Sequence, residues 1–242
     1  MTDTMAPLTG DWDIEIDGLS ISLGRSGSDQ VVFHLPELRI ARGERFALTG
    51  PSGCGKSTLL NAISGLVAPD TGTLKVAGTD VSRLSKAQLD AFRGATIGFV
   101  FQSFNLLDSF SALENVLIGM RFGRSVKKAD RRERARSLLD EVGLSHRVHA
   151  KPATMSVGER QRIAIARALA NRPRVLLADE PTGSLDPQTG QEIFALIQEV
   201  CEIEGCTLLF VTHDLELAAR LPRQFDCRGL IRHEALKDRA AA

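Results

Sequence analysis

Residues 50–58 read GPSGCGKST, with glycine at positions 50, 53 and 55, then Lys56, Ser57 and Thr58. The spacing satisfies G-x-x-x-x-G-K-[ST], a loop whose glycines let backbone N–H groups turn inward onto phosphate oxygens. Arg45, Phe46, Ala47 and Leu48 precede it as a short strand pattern, and Leu59, Leu60 and Ile63 follow at helical spacing before Gly65. Strand, glycine-rich turn and helix N-terminus in that order make an anion cradle. Lys56 is expected to reach the β- and γ-phosphates of a nucleoside triphosphate, and Ser57 to ligate Mg²⁺. The whole loop, Gly50, Pro51, Ser52, Gly53, Cys54, Gly55, Lys56, Ser57 and Thr58, is expected at the nucleotide.

Beyond the loop, residues 97–101 (IGFVF), 175–178 (VLLA) and 207–211 (TLLFV) are short apolar runs, as expected of strands buried on both faces. Helix patterns between them predict a parallel α/β sheet. Before the loop, Ile14 and Ile16, then Leu19, Ile21 and Leu23, then Val31, Val32 and Phe33 form alternating or apolar runs broken by Gly24, Gly27 and Ser28. They read as an antiparallel sheet. From about 106 to 172 helix patterns dominate; the clearest covers 127–142, where Ala135, Leu138, Leu139 and Val142 recur at i, i+3, i+4 and i+7 before Gly143.

The 242 residues carry thirty basic and thirty acidic side chains, so no dominant attraction to nucleic acid or anionic lipid is expected. The run 121–136 is locally basic, with eight Lys or Arg against Asp130 and Glu133. A solvated helix face and a docking face for a partner or lipid headgroups would both look like this. Cys54, Cys201, Cys206 and Cys227 show no C-x-x-C pair, which fits reduced thiols in a cytosolic compartment. Cys54, inside the loop, reads as an inert small residue or an oxidation-sensitive one. No basic segment leads into an apolar stretch at the N-terminus, and no run of about eighteen apolar residues occurs, so neither secretion nor membrane crossing is expected.

Residues 175–180 (VLLADE) end a strand in two carboxylates, where an α/β sheet places catalytic groups. Asp179 suits Mg²⁺, and Glu180 suits the water that attacks the γ-phosphate. A helix cap or turn would use the same acidic pair. His213, after Thr212, is placed to touch the γ-phosphate or to serve as a hydrogen-bonded turn residue.

These motifs together resemble the nucleotide-binding subunit of an ABC transporter, in the family's order from about Leu19 to Asp214. Gln102 after IGFVF resembles the Q-loop, a catalytic and Mg²⁺-binding position; residues 155–162 (MSVGERQR) resemble the signature segment; Ser184, Leu185 and Asp186 resemble the D-loop; His213 resembles the switch histidine. The resemblance implies an α/β P-loop NTPase core with a mainly parallel sheet, an N-terminal antiparallel β subdomain and an inserted α-helical lobe. It places a single domain at 10–235 with the lobe at 103–172 and flexible termini at 1–9 and 236–242. It also implies two cassettes packed head to tail, Ser156 and Gly158 of one facing the ATP held by Lys56 of the other, with Asp186 nearby. The implied partners are a second nucleotide-binding subunit, a copy of the chain or a paralogue, and a permease on a separate chain. That places the protein in the cytoplasm, peripheral to the inner membrane. IGFVFQSFNLL followed by SALENV is most similar to the branch of lipoprotein release, macrolide export and cell-division complexes. There Phe104, Asn105, Leu106 and Leu107 would border the permease, or the two leucines would pack the lobe.

Two departures from the family pattern stand out. Val157 replaces the first signature glycine, and because valine disfavours positive φ a slowed but working ATPase is expected. The chain has no Tyr, and Leu23 occupies the position of the adenine-stacking aromatic, so apolar contact without π-stacking is expected; Trp12 and Phe33 read either as substitutes or as core or surface packing. Competing readings are a weakly hydrolysing regulatory or scaffold subunit and a soluble ABC ATPase of DNA repair or translation. The second lacks the long coiled coil or tandem cassettes it would need. A kinase or GTPase would leave Gln102, Ser156 and His213 unexplained.

Overall fold

In the computed structural model, which describes residues 11–26, 29–121, 123 and 125–235, strands β1 (Trp12–Ser26) and β2 (Asp29–Ala41) run antiparallel. The proposed breaks at Gly27 and Ser28, the termini and Arg124 lie outside the described residues. β3 (Arg45–Thr49) leads into the phosphate loop and helix α1 (Lys56–Ile63). β4 (Thr71–Val76), the short β5 (Thr79–Asp80) and α2 (Lys86–Thr96) follow, then β6 (Ile97–Val100). The helical region holds α3 (Ala112–Gly119), α4 (Arg131–Glu141) and α5 (Val157–Ala168). The chain then alternates β7 (Val175–Asp179), α6 (Pro187–Glu204), β8 (Thr207–Val211) and α7 (Leu215–Ala219) before β9 (Arg223–Asp226) and β10 (Ile231–Ala235).

Two five-stranded sheets result. One, ordered β10-β2-β1-β4-β5, is antiparallel throughout; the other, β6-β7-β8-β3-β9, is parallel throughout. The parallel strands bury alternate residues on opposite faces. Leu176, Ala178, Leu208 and Phe210 point into a core shared with α3 to α6, whereas Val175, Leu177, Leu209 and Val211 point into a core shared with α1 and the antiparallel sheet. Continuous apolar runs are what such two-sided burial demands.

Helix starts follow local chemistry. Ser85, Ser111 and Ser156 each form a capping box with Gln88, Glu114 and Glu159, satisfying donors that α2, α3 and α5 would otherwise leave open. Asp186 caps α6 by accepting from the Thr189 N–H, Pro187 takes the first helical position, and Gly205 ends the helix at φ +65°. α4 is shorter than the expected 127–142, because residues before Arg131 form a turn in which the Asp130 N–H donates to the Lys127 carbonyl. Its basic run is divided: Lys127, Lys128, Arg132 and Arg136 are exposed, but Arg134 is nearly covered and bridges Glu204 at 2.7 Å.

Candidate functional site

Adjacent parallel strands β6, β7, β8 and β3 deliver their carboxyl ends to one edge. Val100 lies level with Ala178, and Asp179, Val211 and Leu48 form one row. Gln102, the Asp179–Glu180 pair, His213 and the phosphate loop therefore emerge side by side, where open α/β sheets bind ligands.

Lys56 is almost fully covered and donates from Nζ to the Gly50 carbonyl at 2.8 Å and the Pro51 carbonyl at 3.0 Å. Glu180 lies between two groups: Oε1 is 3.7 Å from Lys56 Nζ, and Oε2 is 3.0 Å from His213 Nδ1. Glu180 also holds φ +44°, a left-handed backbone that costs a non-glycine residue about 1–3 kcal/mol, with its N–H donating to the Val211 carbonyl at 3.0 Å. The contacts to Val211, Lys56 and His213 are what hold Glu180 in that conformation. Gln102 is exposed, and its amide and Glu180 Oε2 both approach the side of Gly183 that lacks a Cβ.

Ser57 Oγ is 3.5 Å from Asp179 Oδ2, at the limit of a hydrogen bond. Burial raises the Asp179 carboxyl above its ordinary range, with the Glu180 charge adding and Ser57 and Lys56 opposing. Among the described residues no cluster of three or more His, Cys, Asp or Glu is arranged to hold a metal. Hydroxyl, carboxylate and amide oxygens from Ser57, Asp179 and Gln102 nevertheless form a hard donor set that fits Mg²⁺ sharing phosphate oxygens.

For Trp12 and Phe33, the packing reading agrees with the structure and the stacking reading does not. The Phe33 ring is fully buried and lies 2.5 Å from where a Cβ on Gly55 would stand, so it supports the phosphate loop and cannot stack on adenine. Trp12, paired with Ala41, sits at the far end of β1 from Leu23 and is no substitute. Leu23 falls in the register shift between Ser22 and Gly24, a bulge that turns its side chain outward, and it is 44 % exposed. All four cysteines are free and buried; burial, then the adjoining Cys54 thiol, pushes Cys227 up to about 12.

Ser156 and Gly158 stand apart from this edge. With Val157, Ser184, Leu185 and Asp186 they border an open cleft of about 420 Å³ that no phosphate-loop residue lines. Ser156 is the N-cap of α5, and Val157 occupies the first helical turn without positive φ. The expected backbone conflict at Val157 is thus absent, and what its side chain adds is a 38 % exposed apolar surface beside Gly158. The Asp186 carboxylate is engaged as the α6 cap, which holds it below its ordinary range.

Other residues were not legible as functional. Gln161, fully buried, donates to the Pro181 carbonyl at 2.7 Å and ties α5 to the segment beside Glu180. Asn115, also fully buried, accepts from the Leu107 N–H and donates to the carbonyls of Leu107, Phe110 and Ser111. Of the pair after Gln102, Leu106 packs on the core and Leu107 is 43 % exposed. Arg167 reaches the same segment; a lone charge in the apolar run 163–170 was the available signal.

Comparison with known proteins supplies the context. A family model described as ABC transporter matches residues 34–183. A lipoprotein-releasing system ATP-binding protein of Caulobacter vibrioides, LolD 2, is 44 % identical over 211 residues, covering 87 % of this chain and 92 % of that protein. A dimeric bacterial ABC transporter cassette, MJ0796, superposes with a TM-score of 0.75 at 34 % identity over 93 % of this chain and 99 % of that one. The same cassette in a dimeric post-hydrolysis state with ADP and Pi gives 0.74 at the same identity and coverage. CbiO1 of Clostridium perfringens, part of the transporter complex cbiONQ, gives 0.79 at 28 % identity over 90 % and 85 % of the two chains. No helix among the described residues is long and apolar enough to cross a membrane.

Proposed function

This chain belongs to the ABC transporter family, and from that premise we propose how its two separated half-sites work together. The chain is an ATP-binding, ATP-hydrolysing subunit coupled to a membrane permease. In the proposed assembly, two copies meet head to tail. Each ATP then lies between the loop at residues 50–58 of one copy and Ser156 and Gly158 of the other. The observation that carries this is the position of Ser156 and Gly158 on an open cleft away from their own phosphate loop, and the dimeric relatives support it.

On binding, Lys56 exchanges the Gly50 and Pro51 carbonyls for β- and γ-phosphate oxygens. Glu180, freed from Lys56 but still hydrogen-bonded to His213, orients the attacking water. Bound Mg²⁺ would supply positive charge against that developing on the phosphates. Ser57, Asp179 and Gln102 would hold it. From the facing copy, the Ser156 hydroxyl and the N–H groups of the first turn of α5 complete the γ-phosphate shell. Leu23 offers adenine an apolar surface. Once phosphate leaves, the charge that joined the copies is gone and they separate.

We infer further that the permease extracts lipid-anchored proteins from a membrane, with this subunit on its cytoplasmic face. The 44 % identity to a lipoprotein-releasing ATP-binding protein over nearly its full length supports this. The test is co-purification with the bound permease, then turnover in lipid discs with and without an acylated lipoprotein. Stimulation that Glu180→Gln abolishes is expected. Turnover indifferent to acylated protein would sink the substrate assignment, and none at all in the assembled complex would favour the regulatory-scaffold reading.

A further inference from the structure

We propose that Arg167 is a positioning residue that clamps the loop carrying Gln102 to helix α5, so that one guanidinium sets the reach of Gln102 at the nucleotide edge. The proposal rests on the reading of Gln102 as a member of that edge. Phe104 and Asn105 follow Gln102 with φ of +59° and +50°, two consecutive non-glycine residues in the left-handed region. A bulky aromatic holds that conformation only when its surroundings impose it. The imposing group is visible: Arg167 donates from Nη2 to the Phe104 carbonyl at 2.6 Å and from Nη1 to the Asn105 carbonyl at 2.5 Å.

The planar fork of arginine matches two neighbouring carbonyls as a lysine ammonium does not. Arg160, seven residues earlier on α5, places its guanidinium 5.6 Å from the centre of the Phe104 ring, so one helix grips both backbone and side chain of the loop. The crossing is close. A Cβ on Gly119 of α3 would come within 3.0 Å of Arg167 Cγ and of its carbonyl oxygen.

The electrostatics fit a clamp and not an ordinary ion pair. Arg167 forms no ion pair among the described residues, and burial lowers its pKa, so the two carbonyl oxygens are the partners through which it keeps its charge. Releasing either carbonyl leaves a half-buried cation short of an acceptor, while holding both keeps the loop strained. Displacement of α5 therefore moves the loop, and Gln102 lies only two residues away. The same helix begins at Ser156, so a shift at the facing-copy end reaches the metal-side amide without passing through the sheet.

The experiment is a double-mutant cycle in the permease-bound complex, with hydrogen exchange of the 102–107 peptide and a thermal melt beside it. Arg167→Gln is expected to speed exchange of that peptide and lower kcat about tenfold, with the KM for ATP moved less than about twofold. In a Gln102→Ala background the same substitution should lower kcat no further. Should Arg167→Gln fail to fold, Arg167→Lys enters the same cycle, since it keeps charge and packing but loses the fork. Unchanged exchange, or an equal loss of kcat in both backgrounds, overturns the clamp while leaving Gln102 as assigned. Unaltered turnover in Gln102→Ala alone overturns the reading of Gln102 and the proposal with it.

Discussion

At Gly55 the phosphate loop turns with φ +105°, and the space a side chain would need is filled by the Phe33 ring. One residue thus joins the antiparallel sheet to the anion cradle. Phe33→Ala is expected to cost about 3–5 kcal/mol in urea denaturation and to weaken ATP binding by loosening the floor of the loop. Loss of stability with unchanged nucleotide affinity would separate the two roles and contradict the coupling drawn here. Leu23 yields a second expectation: with apolar contact but no aromatic ring at the base, ATP and GTP should compete within about an order of magnitude, and a strong ATP preference in a competition assay would reject it. The loop residues were legible because their spacing carries its own mechanism. The roles of Phe33 and Arg167 were not, because each depends on a partner far away in sequence.

Helix α5 shows how an element presents its end. Ser156 and Glu159 form the capping box, and Arg147 donates to the Glu159 carboxylate at 2.9 Å. That hydrogen bond first, then the Ser156 N–H, holds the Glu159 carboxyl below its ordinary range. A depressed folded value means that the stabilisation is complete above the unfolded pKa and is lost as pH falls through the folded one. Both side chains are partly solvated, so Arg147→Gln should cost only about 0.5–1 kcal/mol at neutral pH. The cost should shrink as pH falls below the ordinary carboxylate range and the Glu159 carboxyl is protonated, and equal costs at neutral and acid pH in urea titrations would refute the assignment. The parallel strands were readable as continuous apolar runs because both faces are buried. β4, α2 and β10 gave little signal: Thr71–Val76 exposes most of its side chains, α2 buries none, and β10 is defined by pairing with β2 across most of the chain.

In the proposed assembly the chain is half of a machine, with a nucleotide grip on one edge and a complementary cap elsewhere. Glu180→Gln with Mg²⁺ and ATP should double the mass of the isolated cassette seen by light scattering, whereas ADP should leave it unchanged. A trapped form enclosing each ATP within a single copy would end the two-copy reading. Val157→Gly should raise turnover of the assembled complex a few-fold, because the apolar surface beside Gly158 is removed and no backbone strain exists to relieve. Unchanged turnover would assign Val157 no part in the closed state. The antiparallel and parallel sheets were readable from the residues; the pairing of one copy's nucleotide edge with another copy's α5 came from the family resemblance and belongs to the proposal.

Strand β10 closes the sheet beside β2, with Ile231 opposite Phe33 and its Cδ1 reaching 3.4 Å from the side of Gly55 that lacks a Cβ. Residues made early and late in synthesis therefore knit together directly beneath the triphosphate cradle. During translation the gripping motif emerges long before this last strand, so a nascent chain carries the fingers of the grip without the palm. Removal of Ile231 is therefore expected to weaken the hold on nucleotide, by taking away part of the packing beside Gly55.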